Sequence, residues 1–175
     1  MAEPRRDASK PPVLLRGGRI LVVEARFYEA IGARLLEGAR RAIDAAGAAC
    51  EVINVPGALE IPIAISMALD AAAARAVHPY DGVVALGCVI RGETYHFEIV
   101  AGESSRALID LAIARGLALG NGILTVENEA QAEARADPKR GDKGGDAARA
   151  AIALAALKRE LGANKSAAKK SGAAR

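Results

Sequence analysis

The sequence holds no tryptophan, two phenylalanines and three tyrosines. Aromatic platforms on which nucleic-acid bases could stack are therefore nearly absent. Cysteine is as scarce: Cys50 and Cys88 each lie in an apolar run that reads as a strand, and there is no Cys-x-x-Cys pair. Two small buried reduced thiols are expected, not a disulfide or a metal site. There is no Gly-x-Gly-x-x-Gly, no Walker Gly-x4-Gly-Lys-[Ser/Thr], no cluster with metal-ligand spacing and no Ser-His-Asp arrangement. The start, Met1-Ala-Glu-Pro-Arg-Arg-Asp, carries no apolar signal core. No uninterrupted apolar run reaches the roughly 18 residues that a membrane span needs. A soluble cytoplasmic protein without a membrane partner is expected.

What the chain has is alanine and small apolar bulk. Its 175 residues are 51% hydrophobic, and 41 of them are alanine. That excludes disorder and points to helices packed closely on a sheet. A core of about 150 residues buries roughly 70% of its unfolded surface and needs no staple. Lysine and arginine outnumber the acids by 24 to 21, but the excess is local. Residues 1–19 carry net +3 and 165–175 net +4, whereas 20–164 carry net −4. A duplex-reading domain concentrates positive charge on a folded face, so no nucleic-acid partner is expected for the folded part.

The apolar pattern divides the chain into a flexible N-terminal arm (1–17), one domain (18–162) and a basic disordered tail (163–175). Within the arm, Val13-Leu14-Leu15 is a candidate edge strand. Ile20–Glu24, Cys50–Val55, Val83–Ile90 and Gly122–Val126 read as strands. Helical periodicity fills the gaps: Ile31, Leu35, Ala39, Ile43 and Ala46 form one stripe, and Arg34, Glu37, Arg41 and Asp44 lie off it. Further helices read over 58–74, 94–115, 127–136 and from about 146 to 161. Pro79-Tyr80-Asp81-Gly82 reads as a turn. Strands alternating with long helices require right-handed parallel crossovers and helices on both sheet faces. The fold expected is a three-layer α/β/α sandwich around a four-stranded parallel sheet.

Ligands of such folds sit at the carboxyl ends of the strands. After the first strand come Arg26-Phe27-Tyr28, where an aromatic ring either stacks on a planar ligand or staples the next helix. After the second, Pro56-Gly57 sets a tight turn that leaves the amides of Ala58, Leu59 and Glu60 facing outward. The Glu60 carboxylate either accepts from hydroxyls or stabilises the helix start. The third strand ends richest, in Ile90-Arg91-Gly92-Glu93-Thr94-Tyr95-His96. Gly92 permits close backbone approach, and Thr94 offers a hydroxyl beside helix-start amides, a combination suited to phosphate. His96 is either a surface or core residue or, next to such a site, a proton shuttle. Arg135 and Lys143 are either phosphate clamps or solvated helix-end charges. His78 receives no role. These residues by themselves indicate a small phosphorylated or hydroxylated ligand handled by acid–base chemistry.

At the same residues the sequence resembles the 6,7-dimethyl-8-ribityllumazine synthase family. The matching segments are Val55–Pro62, Leu86–His96, Asn121–Asn128 with Gln131 and Arg135, and Lys143-Gly144, in order across about residues 18–162. The resemblance departs at Tyr28, where the family often has Asn, and at Leu59 and Asn121, where it often has Phe. It implies a flavodoxin-like fold and a transferase acting without a cofactor. That enzyme condenses 5-amino-6-(D-ribitylamino)uracil with 3,4-dihydroxy-2-butanone 4-phosphate in the penultimate step of riboflavin biosynthesis. Carried onto this chain, it implies that Phe27 stacks on the pyrimidinedione ring and that Ala58, Leu59 and Glu60 hold the ribityl chain. Backbone groups of Cys88, Val89 and Ile90 would read the ring heteroatoms. Glu93 and Thr94 would cradle the phosphate, and His96 would be the catalytic proton donor. Asn121, Arg135 and Lys143 would come from a neighbouring subunit of a pentamer, which in some cases builds a larger shell. An Ala-rich stripe of Ala147, Ala148, Ala151, Ile152 and Ala155 suits close packing, either between subunits or in the chain's own core. The alternatives are a non-catalytic flavin-binding or shell-forming protein on this scaffold, and a flavin-forming dismutase of the same architecture.

Overall fold

The computed structural model describes residues 13–75 and 80–172, and of residues 164–172 the backbone alone. Four apolar runs form four parallel strands: β1 (Arg19–Ala25), β2 (Ala49–Val55), β3 (Gly82–Ile90) and β4 (Leu119–Val126), in the order β2-β1-β3-β4. The two central strands are buried on both faces because helices cover both. Those helices are α1 (Glu29–Ala45), α2 (Glu60–Ala74), α3 (His96–Arg115), α4 (Glu129–Ala136) and α5 (Lys143–Gly172).

Strand alternation sorts the core into two halves. Ile20 and Val22 pack with α1, α4 and α5, whereas Leu21, Val23 and Ala25 pack with α2 and α3. The result is the expected flavodoxin-like α/β/α sandwich. The predicted stripe of α1, Ile31 to Ala46, is buried throughout. Gly47 and Gly116 end α1 and α3 in the left-handed region, at φ 72° and 56°.

Three features differ from expectation, and one open alternative is decided. Strand β4 begins at Leu119, earlier than Gly122, because Gly120 and Gly122 lie under Ala147 of α5 and let that helix seat directly on the strand. Leu15 forms no edge strand: its N–H donates to the Ala46 carbonyl and its side chain is buried beside α1. The backbone of α5 runs to Gly172, through most of the stretch read as a tail, in keeping with the helix propensity of its alanines and lysines. The Ala147–Ala155 stripe is spent in the chain's own core. Residues 1–12 of the arm, and His78 and Pro79 of the turn, lie outside the described residues. Among the described residues, no helix is long and apolar enough to cross a membrane.

Candidate functional site

Strand β1 stops pairing with β3 at Glu24 and Leu86, but β3 runs on to Ile90 with only β4 beside it. Beyond Leu86, the backbone groups of Cys88–Ile90 that point away from β4 have no strand to bond to among the described residues. The chain leaving β1 and the chain leaving β2 wall this open edge. The result is a cavity of about 470 Å³ lined by Phe27, Tyr28, Pro56–Glu60, Cys88–Ile90, Gly92, Thr94, His96, Phe97 and Val100. Such a volume suits a small heterocycle with a polar chain.

Each wall has a local cause. Phe27 leaves β1 on the α2/α3 side, 73% exposed, with its ring edge-on to Tyr28 at 5.1 Å between centroids. Pro56-Gly57 turns the chain into α2, and the Glu60 amide closes that turn on the Gly57 carbonyl at 3.2 Å. The outward amides expected at 58–60 are accordingly reduced to those of Ala58 and Leu59. The Glu60 carboxylate folds back over Gly57, where a Cβ would stand 2.8 Å from its Oε2.

The starts of α2 and α3 both open on the cavity, and neither has a side-chain cap. By contrast, Asn128 caps α4, which does not line the cavity, by accepting from the Gln131 amide. The His96 and Phe97 amides of α3's first turn are thus available to an anion, whereas that of Glu98 bonds its own carboxylate. A Cβ on Gly92 would meet nothing within 4 Å, which leaves room over its backbone for a ligand. His96, the first residue of α3, is exposed and faces this space. Cys88 contributes a buried thiol, pushed up to about 11 by desolvation and so inert near neutrality. Cys50, half-buried on β2, is shifted the same way by burial.

Arg91 ties three elements together behind the cavity. Its Nη1 donates to Glu98 at 2.5 Å, its Nε lies 2.8 Å from Glu127, and its guanidinium sits 4.1 Å over the Phe97 ring. The hydrogen bond from Arg91 holds the Glu98 carboxyl below its ordinary range. Phe97, Val100 and the bracing role of Arg91 were not anticipated from the sequence. Val100 lies one turn past His96, so helical periodicity from the histidine was the available signal.

The structure brings together Phe27, Ala58, Leu59, Glu60, Cys88, Val89, Ile90, Thr94 and His96. It does not bring in four others. Glu93 is exposed in the loop before α3 and is not part of the lining. Asn121 is exposed on the α3 side of edge strand β4, its side chain accepting from the Ile123 amide. Arg135, on α4, donates to the Gln131 carbonyl, and Lys143 pairs with Asp146 at 3.0 Å. Both belong to helices on the opposite sheet face. Among the described residues, the cavity of a single chain is lined by no lysine or arginine.

Comparison with known proteins adds a separate line. The family model for 6,7-dimethyl-8-ribityllumazine synthase matches residues 17–159. A 6,7-dimethyl-8-ribityllumazine synthase of Methylocella silvestris is 63% identical over 163 residues, 93% of this chain and 99% of that protein. One of Azorhizobium caulinodans is 60% identical over 91% of this chain and 98% of its own length. The 6,7-dimethyl-8-ribityllumazine synthase 1 of Rhizobium meliloti is 63% identical over 83% and 95%.

Proposed function

The chain belongs to the 6,7-dimethyl-8-ribityllumazine synthase family, and we propose that the cavity beside the free edge of β3 is where it does that family's work. The enzyme is a transferase. It condenses 5-amino-6-(D-ribitylamino)uracil with 3,4-dihydroxy-2-butanone 4-phosphate to 6,7-dimethyl-8-ribityllumazine, in riboflavin biosynthesis. The observation that carries the assignment of the site is the meeting of three things in one cavity: an exposed aromatic ring, unpaired strand backbone and a histidine at an uncapped helix start.

In this reading Phe27 stacks on the pyrimidinedione while backbone groups of Cys88–Ile90 read its heteroatoms. The ribityl hydroxyls bond to the Glu60 carboxylate and to the amides of Ala58 and Leu59. The phosphate lies at the α3 start near Gly92 and Thr94, with Glu93 at its outer margin. The ring amine attacks the ketone, and His96 carries protons as the imine forms and water leaves. Phosphate departs, the resulting enol becomes a ketone, and the ribitylamino nitrogen attacks it with loss of a second water. Holding two substrates in register supplies much of the acceleration.

A dianionic leaving group calls for a cation, and among the described residues the cavity's own chain lines it with no lysine or arginine. The reading therefore takes Arg135, Lys143 and Asn121 from a neighbouring copy in a cyclic oligomer, a pentamer in keeping with the resemblance. Support comes from surfaces left uncovered. Of the 20 residues of α3, only Ser104 and Leu108 are buried, and Ile63, Met67, Ile109 and Ile113 are 52–77% exposed along α2 and α3. The reading keeps the reaction in the cytoplasm, where charged substrates are retained.

The test is incubation with both substrates, following the lumazine's absorbance and fluorescence. His96→Ala should lower kcat by about 10- to 10⁴-fold, with much smaller changes in KM. Unchanged turnover would return His96 to an ordinary surface residue.

A further inference from the structure

Glu24 is the one charged side chain on β1 that is fully buried, at 1% exposure. It points to the α1 face, as do Ile20 and Val22, and stands opposite Asn54 and Leu86. Its Oε1 accepts from Arg26 Nε at 2.9 Å, and its Oε2 is buried with no hydrogen-bond partner among the described residues. Arg26 also reaches Glu29, Nη1 to Oε2 at 3.6 Å. Its stem lies across Gly32 of α1, where a Cβ would stand 3.2 Å from Arg26 Cγ. Glycine inside a helix is disfavoured; here the missing side chain is the space that the arginine occupies.

The consequence falls on the next residue. Alternation along an extended chain places 24 and 26 on one sheet face and 25 and 27 on the other. Ala25 is accordingly in the α2/α3 core. With Arg26 pinned over α1, Phe27 is directed to the cavity side, and the Gly32 amide, 2.9 Å from the Tyr28 carbonyl, closes the turn. The ring itself is 73% exposed, so few contacts of its own hold it.

We infer that Glu24 is a positioning residue for the aromatic wall of the cavity: its buried carboxylate anchors Arg26, and that anchor fixes the turn presenting Phe27 and Tyr28. The inference rests on the reading of Phe27 as the stacking surface, and its test separates the two. The chain has no tryptophan, so Phe27→Trp installs a single reporter at the wall. Adding Glu24→Leu should lower the indole's fluorescence anisotropy through faster local motion, while the protein stays folded because Arg26, 35% exposed, keeps water and Glu29 as partners. With Phe27 intact, Glu24→Leu should raise KM for the pyrimidine substrate roughly tenfold, the scale of a weakened stacking contact. Its kcat and its KM for the butanone phosphate should stay within about twofold.

Arg26→Gln reaches the same anchor from its half-exposed end and should reproduce both effects, and the Glu24→Leu/Arg26→Gln pair should be no worse than either alone. Unchanged anisotropy and KM in a folded Glu24→Leu or Arg26→Gln protein overturn the inference. Equal losses toward both substrates, in step with lost folded protein, overturn it as well. A Phe27→Ala protein that keeps its KM for the pyrimidine sinks the stacking reading alone, with the anisotropy still deciding whether Glu24 positions the turn.

Discussion

Single residues carry their charges here in ways that pH exposes. Burial raises the Glu24 carboxyl above its ordinary 4.5, against the opposing pull of Arg26. The native state thus holds the Glu24 proton to higher pH than the unfolded chain does. Its contribution to stability is fullest below 4.5 and is lost as pH rises through the elevated value. Glu24→Gln removes this dependence. The melting temperature of the Gln protein relative to the parent should therefore climb from acid to neutral pH, measured by calorimetry across that range. A constant or falling difference would contradict the assignment. Glu24 was not legible in the sequence, because a glutamate at the end of an apolar run reads equally well as the first solvated residue. Phe27, Glu60 and His96 were legible, since each follows a strand that topology aims at a ligand.

Elements meet through contacts that sequence periodicity does not encode. The strands were readable because burial on both faces writes them as continuous apolar runs. The rotation of α3 about its axis was not, and with it Phe97, Val100 and the Arg91 brace stayed hidden. Arg91→Ala should release the α3 start, held through Glu98 and the Phe97 ring, from the end of β3 and from Glu127. Steady-state assay should show kcat/KM down roughly 10- to 100-fold from misplacement of His96, with far-UV circular dichroism unchanged. The crossing of α1 and α5 is another such contact. A Cβ on Gly144 would strike the Leu35 carbonyl, so Gly144→Ala should cost about 1–3 kcal/mol, lowering the melting temperature by roughly 2–12 °C. Gly162→Ala on the same helix meets nothing within 4 Å and should leave it unchanged or slightly raised. The length of α5 was misread for a compositional reason: lysine and alanine suit a solvated tail and a helix alike.

On the scale of the whole molecule, the proposed site has ring, backbone and histidine at one place, whereas Arg135 and Lys143 lie on helices of the opposite face. A head-to-tail ring repeats one heterologous contact and completes one site at each junction. Two inactive proteins, His96→Ala and Arg135→Ala, can be unfolded together and refolded as mixed assemblies. A junction is intact where an Arg135→Ala chain supplies His96 and a His96→Ala neighbour supplies Arg135. Random equal mixing places that pair at roughly one junction in four, so lumazine formation should recover to about a quarter of the parental rate. Single mutants that are nearly inactive, fold normally and exchange subunits, yet give a mixture no better than their average, would show that each chain builds its site alone.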